Sequence, residues 1–332
     1  MIAGNRKDGK EMRRKVVWAA AFFAAVFLAL ALFFAFGPAR TLEGKLVVDK
    51  VTENANARVY AIVGETMQRT PENFADNATF GLVVTKAGAV LIDPGGSYKG
   101  ARAIAAAVKT VSAKPVVTVI DTGGQDHRWL GNGYFKARGA RIIASQAAVD
   151  DQKERGSMQL SALGFLIKDQ ALKGTEEVHA DKVFRESLDF TLGGVKFHIE
   201  NPGPAHTPGD SFVWLPDMNV VFTGDIVYVD RLPSVLDVSD YASWINDFKA
   251  VAALKAKYIV PGHGAPTDLK RARFETYEYL LNLRDRMKAY IAGGGDAQGS
   301  VLIDQSRFKD IPAFDILAKR NAQAVFVQME FE

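Results

Sequence analysis

Apolar and polar positions along the chain change period several times, and each change marks an element. The first apolar run, Val16 to Phe36, holds 21 residues without a charge. At about 1.5 Å rise per residue it predicts a helix of about 31 Å, matching the hydrocarbon core of a bilayer. Gly37 to about Asn54 then reads as a linker. Arg58–Val63 is β-branched, and Phe80–Ile92 predicts a hairpin turned at Lys86-Ala87-Gly88. Apolar residues spaced by three and four predict a helix from Gly100 to Val111. Val116–Ile120 is a continuous β-branched run, as expected of a strand buried on both faces. Further strands are predicted at Arg141–Ser145, Phe190–Ile199, Ser211–Phe222 (turned at Pro216 to Asn219) and Tyr258–Val260. Helices are predicted at Gln146–Arg155, Tyr241–Leu254 and Ala272–Ala292, the last ended by Gly293-Gly294-Gly295. Alternating strands and helices imply an α/β architecture with mixed sheets.

Charge orients the first of these elements. Arg6, Lys7, Lys10, Arg13, Arg14 and Lys15 precede the apolar run, against only Asp8 and Glu11. The positive-inside rule makes residues 1–15 a basic cytoplasmic tail and 16–36 a single-pass anchor in the inner (cytoplasmic) membrane, with the rest periplasmic or extracellular. A cleaved signal peptide is the alternative, since Gly37-Pro38-Ala39 supplies small residues for cleavage. Signal h-regions run about 7–15 residues, so the length favours an uncleaved anchor. The 48% apolar and 24% charged composition is that of an ordinary globular enzyme. A net charge of +3, without a Lys/Arg stripe interleaved with aromatics, implies no nucleic-acid partner. With no cysteine, disulfides, thiolate ligands and a cysteine nucleophile are all excluded. Any metal must be held by His, Asp, Glu or water, and the chain has five histidines.

Candidate chemistry gathers at predicted strand ends, where a rigid sheet positions loop side chains. Asp93 follows VLI, Asp126 and His127 follow VVTVI, His206 follows FHIENPGPA, Asp225 follows VVFTG, and His263 follows YIVPG. An isolated loop aspartate is usually a turn former or helix cap, and a lone histidine usually packs. Jointly, the imidazole and carboxylate set suits zinc. The ordered motifs VLIDPGG (90–96), TGGQDHRWLGN (122–132), PAHTPGDS (204–211), FTGDIV (222–227) and VPGHG (260–264) resemble the metallo-β-lactamase superfamily over roughly residues 55–270. The resemblance implies a four-layer αβ/βα sandwich, two sheets face to face with helices outside, and a one- or two-metal site at one sheet edge. The domain is then expected over 55–295, followed by a C-terminal extension, 296–332. Phe308 through Glu332 is similar to the extension of periplasmic members associated with sulfur oxidation or quinoprotein systems.

The chain departs from the family at its metal loop, which there reads H-x-H-x-D-H. Matching Asp126-His127 to the family's D-H leaves Thr122 and Gly124 at the two histidine positions. Matching the flanks instead leaves Gly123 and Gln125 there, with His127 and Arg128 at the D-H positions. Both registers remain open at this level, and both reduce the three-histidine site to His206. In the first, Asp126, His127 and His263, with Asp225 bridging, hold one metal. In the second only Asp225 and His263 match, and Arg128 either opposes a metal or binds an anionic substrate. A metal-activated water is the expected nucleophile, with Asp126 or Asp225 accepting its proton, His206 free as acid or base, and Asp93 orienting a ligand from behind. Arg231 follows the Asp225 strand and is a second candidate substrate contact. The expected function is a membrane-anchored hydrolase of a small molecule using one zinc. The alternative is a catalytically silent binding or accessory protein that keeps the fold.

Overall fold

The computed structural model describes residues 43–330. The predicted anchor, Val16 to Phe36, lies outside them; among the described residues no helix is long and apolar enough to cross a membrane. Two sheets form the body. The larger runs in the order β1 (Val47–Glu53), β2 (Ala57–Val63), β3 (Thr79–Thr85), β4 (Gly88–Ile92), β5 (Val116–Asp121), β6 (Arg141–Ser145), β7 (Lys182–Phe184). The smaller comprises β8 (Ser187–Leu192), β9 (Val195–Glu200), β10 (Phe212–Leu215), β11 (Val220–Phe222) and β12 (Tyr258–Val260), with β12 and β8 at its edges. β1 to β4 are antiparallel neighbours, whereas β4 to β7 pair in parallel. Parallel pairing requires crossovers. Helix α1 (Tyr98–Val111) connects β4 to β5, and α2 (Gln146–Leu172) connects β6 to β7.

The layers follow from strand alternation. Val59, Val83, Val90 and Ile120 of the large sheet meet Phe197, Ile199, Val213 and Phe222 of the small one in a central core. Phe80, Leu82 and Leu91 point the other way, against Ile104 and Ala107 of α1. Helices α3 (Tyr241–Ala253), α4 (Tyr279–Ala292) and α5 (Phe314–Glu330) cover the small sheet through Trp244, Phe248, Leu280, Leu283 and Phe326. Four layers result, helix–sheet–sheet–helix. Because β3 and β4 are buried along their whole length, they read as unbroken apolar runs.

Four expected boundaries shift. Phe190–Ile199, expected as one strand, is the antiparallel pair β8 and β9, turned at Gly193-Gly194. The stretch expected as a linker to Asn54 carries β1, paired antiparallel to β2. Its polar, half-exposed residues are those of an edge strand, whose weak alternation hides it in sequence. The helix expected at Gln146–Arg155 continues to Leu172, interrupted at Lys168 with φ +67°. Its second half buries only Leu163, Ile167 and Ala171, in a small cluster with Trp129 and Leu130. The segment expected as an extension belongs to the domain. Leu317, Ala318, Ala322 and Val325 enter the main helical core. Buried Asn321 accepts from Val235 N at 2.9 Å and donates to Pro233 O at 2.7 Å and Tyr279 Oη at 2.8 Å.

Helix α3 also buries Asp247, whose Oδ2 has no partner. Burial, reinforced by the nearby Asp240 and Glu200, pushes its carboxyl up to about 8. Between the unfolded carboxylate value and about 8 the folded state therefore holds one more proton than the unfolded state, so stability falls as pH rises through that window. Asp247→Asn is expected to stabilise the protein at pH 8 by on the order of 2–4 kcal/mol and to do little at pH 4. Urea unfolding at both pH values checks this; an equal effect at each would reject the buried neutral carboxyl.

Candidate active site

The loops that follow β4, β5, β11 and β12 meet at one edge of the sandwich. β5 is followed by Thr122, Gly123 and Gly124, then by a single 3-10 turn, Asp126–Arg128. Consecutive side chains of that turn point in different directions, and their partners separate the two registers. His127 Nε2 lies 3.2 Å from Asp225 Oδ2, and His263 Nε2 lies 3.2 Å from Asp225 Oδ1. His127, Asp225 and His263 offer donor atoms within 4.8 Å of one another, the one such group found among the described residues. Asp126 is turned away from them and pairs with Arg69. Its Oδ1 is also 3.0 Å from His127 Nδ1. The side chains thus take up the flank-matched register, with His127 and Arg128 in the D-H places. Asp126, expected as a ligand and proton acceptor, instead sits behind His127 and orients its ring.

Arg128 is fully buried and cannot be the substrate contact expected of it. Its Nε donates to Asp225 Oδ2 at 3.1 Å, and Nη2 donates to Asp225 Oδ1 at 2.6 Å and Gly262 O at 2.8 Å. Nη1 donates to Asp93 Oδ2 at 2.8 Å and Thr79 O at 3.1 Å. All five guanidinium N–H donors are thereby used. Asp93, held at φ +64°, also accepts from the Thr122 backbone N at 2.8 Å and so orients Arg128, not a ligand. Burial alone would raise the Asp225 carboxyl, but Arg128 and His127 hold it well below the usual carboxylate range. Asp126 is likewise held low, by Arg69 and His127 against the cost of burial.

His206 stands beside this group with its Nδ1 2.8 Å from Ser234 O, between the rings of Tyr228 and Trp244. Burial pushes its imidazole down to about 4, so it is neutral at neutral pH. No further histidine joins it. A Cβ on Gly123 would lie 2.3 Å from Asp210 Oδ1, and one on Gly124 would lie 1.8 Å from Asp151 Oδ2. In the flank-matched register the two leading places belong to Gly123, where no side chain fits, and Gln125, which lines the cavity but carries no imidazole, so the three-histidine site cannot form. His127, Asp225 and His263 do fit one cation. Each Asp225 oxygen carries a second lone pair beyond the one Arg128 takes. Asp126 Oδ1 and Arg69 Nη2 both lie 3.0 Å from His127 Nδ1; in the tautomer that donates Nδ1–H to Asp126, the Nε2 lone pair is free for a metal.

Arg69, Tyr228 and Asn77 line the small cavity over this group without having stood out in the sequence. Tyr228 stacks on His263 at 4.5 Å and an interplanar angle of 18°. Its place three residues after Asp225 was the one available signal. Arg69 comes from the loop before β3, 57 residues from its partner Asp126, and belongs to no motif. Arg231 also lines this cavity.

The metallo-beta-lactamase superfamily model matches residues 75–263, more than half of the chain. The chain belongs to the metallo-beta-lactamase superfamily. Within it, the chain is 25% identical over 236 residues to a linear primary-alkylsulfatase of Pseudomonas sp. (strain ATCC 19151), covering 61% of this chain and 44% of that protein. It is 28% identical over 138 residues to the metallo-beta-lactamase type 2 of Bacteroides fragilis, covering 40% and 47% respectively. The chain thus spans less than half the length of these two relatives. A metallo-beta-lactamase from Pontibacter korlensis superposes with a TM-score of 0.54 at 21% identity, covering 71% of this chain and 99% of that one. A double mutant of a sec-alkyl sulfatase superposes at 0.66 and 15% identity, covering 86% and 50%. At these identities the superpositions establish the superfamily's fold.

Proposed function

We propose that the protein is a metal-dependent hydrolase of a small molecule that works with a single divalent cation, zinc, held by His127, Asp225 and His263. The observation that carries this reading is the convergence of those three donors beside a cavity lined by His127, His263 and His206. Membership of a superfamily that typically binds zinc supports it, as do relatives named as an alkylsulfatase and a β-lactamase. Three protein ligands and an open position are the arrangement of a catalytic zinc site. A cation bound there supplies Lewis acidity, lowering the pKa of a water and polarising a substrate oxygen. Residues 16–36 are proposed to anchor the chain in the inner membrane, which places the site outside the cytoplasm.

The protein's own groups divide the remaining work. Asp225 stays ionised because Arg128 compensates its charge, and Asp126 fixes the His127 ring through Nδ1. His206, with its pKa near 4, is too weakly basic to deprotonate a water at neutral pH and instead orients one by hydrogen bonding. Arg231 lines the same cavity, and its charge suits it to stabilise negative charge developing on a substrate oxygen.

A second reading, a silent binding module, draws on the same Arg128, whose cation already engages both oxygens of Asp225. Metal content decides between them. Zinc loading followed by dialysis and mass spectrometry is expected to leave close to one zinc per chain. A value near zero selects the silent module, and a value near two overturns the single-ion reading.

A further inference from the structure

We propose that this site takes an amphiphilic anion, its oxoanion head at Arg69 and Arg231 and its alkyl chain along an apolar groove walled by α2 and α5. The inference deepens the hydrolase reading by naming its substrate class, and it rests on that reading only for what happens to the head.

The head site is built from two cations, of which only Arg69 has a carboxylate partner, Asp126. A cavity of about 50 Å³ is bounded by His127, His206, His263, Tyr228, Arg69 and Arg231, and no acidic side chain lines it. Arg69 Nη2 engages Asp126 and lies 3.0 Å from His127 Nδ1, and its buried Nε has no partner. Arg231 gives Nη1 to the carbonyls of Thr66 and Met67, has no ion pair among the described residues, and also buries an unpartnered Nε. An anion seated against both guanidinium groups relieves the mutual repulsion of the two buried charges. The volume is room for about one or two waters, so it admits a head group and excludes a bulky molecule.

The tail site adjoins it. A groove of about 240 Å³ shares Arg69, Arg231, Ser234 and Leu236 with the cavity, and beyond them is lined by Met67, Leu166, Ile316 and Leu317. Met67, Leu166 and Ile316 are exposed at 43%, 39% and 59%. Large apolar side chains clustered at the surface mark a binding groove. Its one further charged residue is another cation, Arg320, and again no acid lines it. An apolar channel that begins at two arginines is complementary to an anion carrying an alkyl chain. A cationic amphiphile meets three positive charges there, and a neutral one leaves Arg231 without a counter-charge.

Titration calorimetry of alkane-1-sulfonates, which cannot be hydrolysed, tests the assignment on the full chain in phosphatidylcholine nanodiscs, with empty nanodiscs as reference. Octane-1-sulfonate is expected to bind at least tenfold more tightly than octyl glucoside. From butane- to octane-1-sulfonate the affinity should rise about threefold per methylene. Arg231→Gln is expected to weaken octane-1-sulfonate at least tenfold, and Ile316→Asp to flatten the chain-length series. Octylphosphonate and octanoate identify the preferred head. Octane-1-sulfonate should bind chelator-treated protein within threefold of zinc-loaded protein, so failure of the metal reading and failure of this one are distinguishable. A chain-length series that is flat in the unmodified protein overturns the proposal, as does equal affinity for octyl glucoside. Binding seen only with phosphatidylserine nanodiscs also overturns it and assigns the patch to a lipid surface.

Discussion

Arg128→Met is expected to cost about 3–5 kcal/mol of unfolding free energy, the range for removing one partner from a buried ion pair. In a domain of this size that lowers the melting temperature by roughly 10 °C. Methionine fills much of the volume but leaves Asp93 and Asp225, both essentially without solvent, facing each other without a cation. It also strips hydrogen bonds from the Thr79 and Gly262 carbonyls, which Arg128 ties together across the sheet edge. Arg128→Lys keeps the charge but not the fork that grips both Asp225 oxygens, and an intermediate loss is expected. The pH dependence carries a sign. Arg128 helps hold Asp225 far below its unfolded value, so this stabilisation is complete above the ordinary carboxylate range and is lost only in strong acid. Without it Asp225 protonates more readily, and the deficit of the Met variant should shrink from pH 8 to pH 5. Urea unfolding at fixed m-value reads both effects. A loss under about 1 kcal/mol would mean that the two carboxylates find other compensation, contrary to the burial of the group.

His263→Ala is expected to bring the zinc content from near one per chain to below about 0.1, and to lower hydrolysis of any substrate at least about a thousandfold, the scale of losing the metal itself. Its cost in stability is expected to be smaller, about 1–2 kcal/mol, because its Nδ1 makes no hydrogen bond and what is lost is the stack on Tyr228 and the Nε2 contact with Asp225, whose charge Arg128 still compensates. A large functional loss with a modest stability loss separates a ligand from a structural residue. Asp126→Asn offers a graded comparison. If Asp126 only orients His127, zinc affinity should fall by about 10–100-fold while the stoichiometry recovers at high zinc. Unchanged metal content in His263→Ala would remove the site.

What the sequence determined by itself is considerable. Strand periodicity placed most of both sheets, because strands buried on two faces admit few polar residues. Five short motifs in order placed Asp93, His206, Asp225 and His263 at strand ends, where the fold brings them to one edge. The loss of the three-histidine site was also legible, since glycine and glutamine cannot stand in for two imidazoles. The tertiary structure alone decided between Asp126 and His127. In a one-turn 3-10 segment, neighbouring side chains diverge, and which one faces the site depends on how Gly123 and Gly124 pack against Asp210 and Asp151. It alone turned Arg128 from a candidate substrate contact into a fully bonded buried cation, since that depends on carbonyls and carboxylates from four separate segments. Arg69 and the groove beside it were likewise invisible, because they arise where a loop before β3 meets α2 and α5. Local pattern reports which face of an element is buried; which cations come to line one cavity is a property of surfaces that meet only after folding.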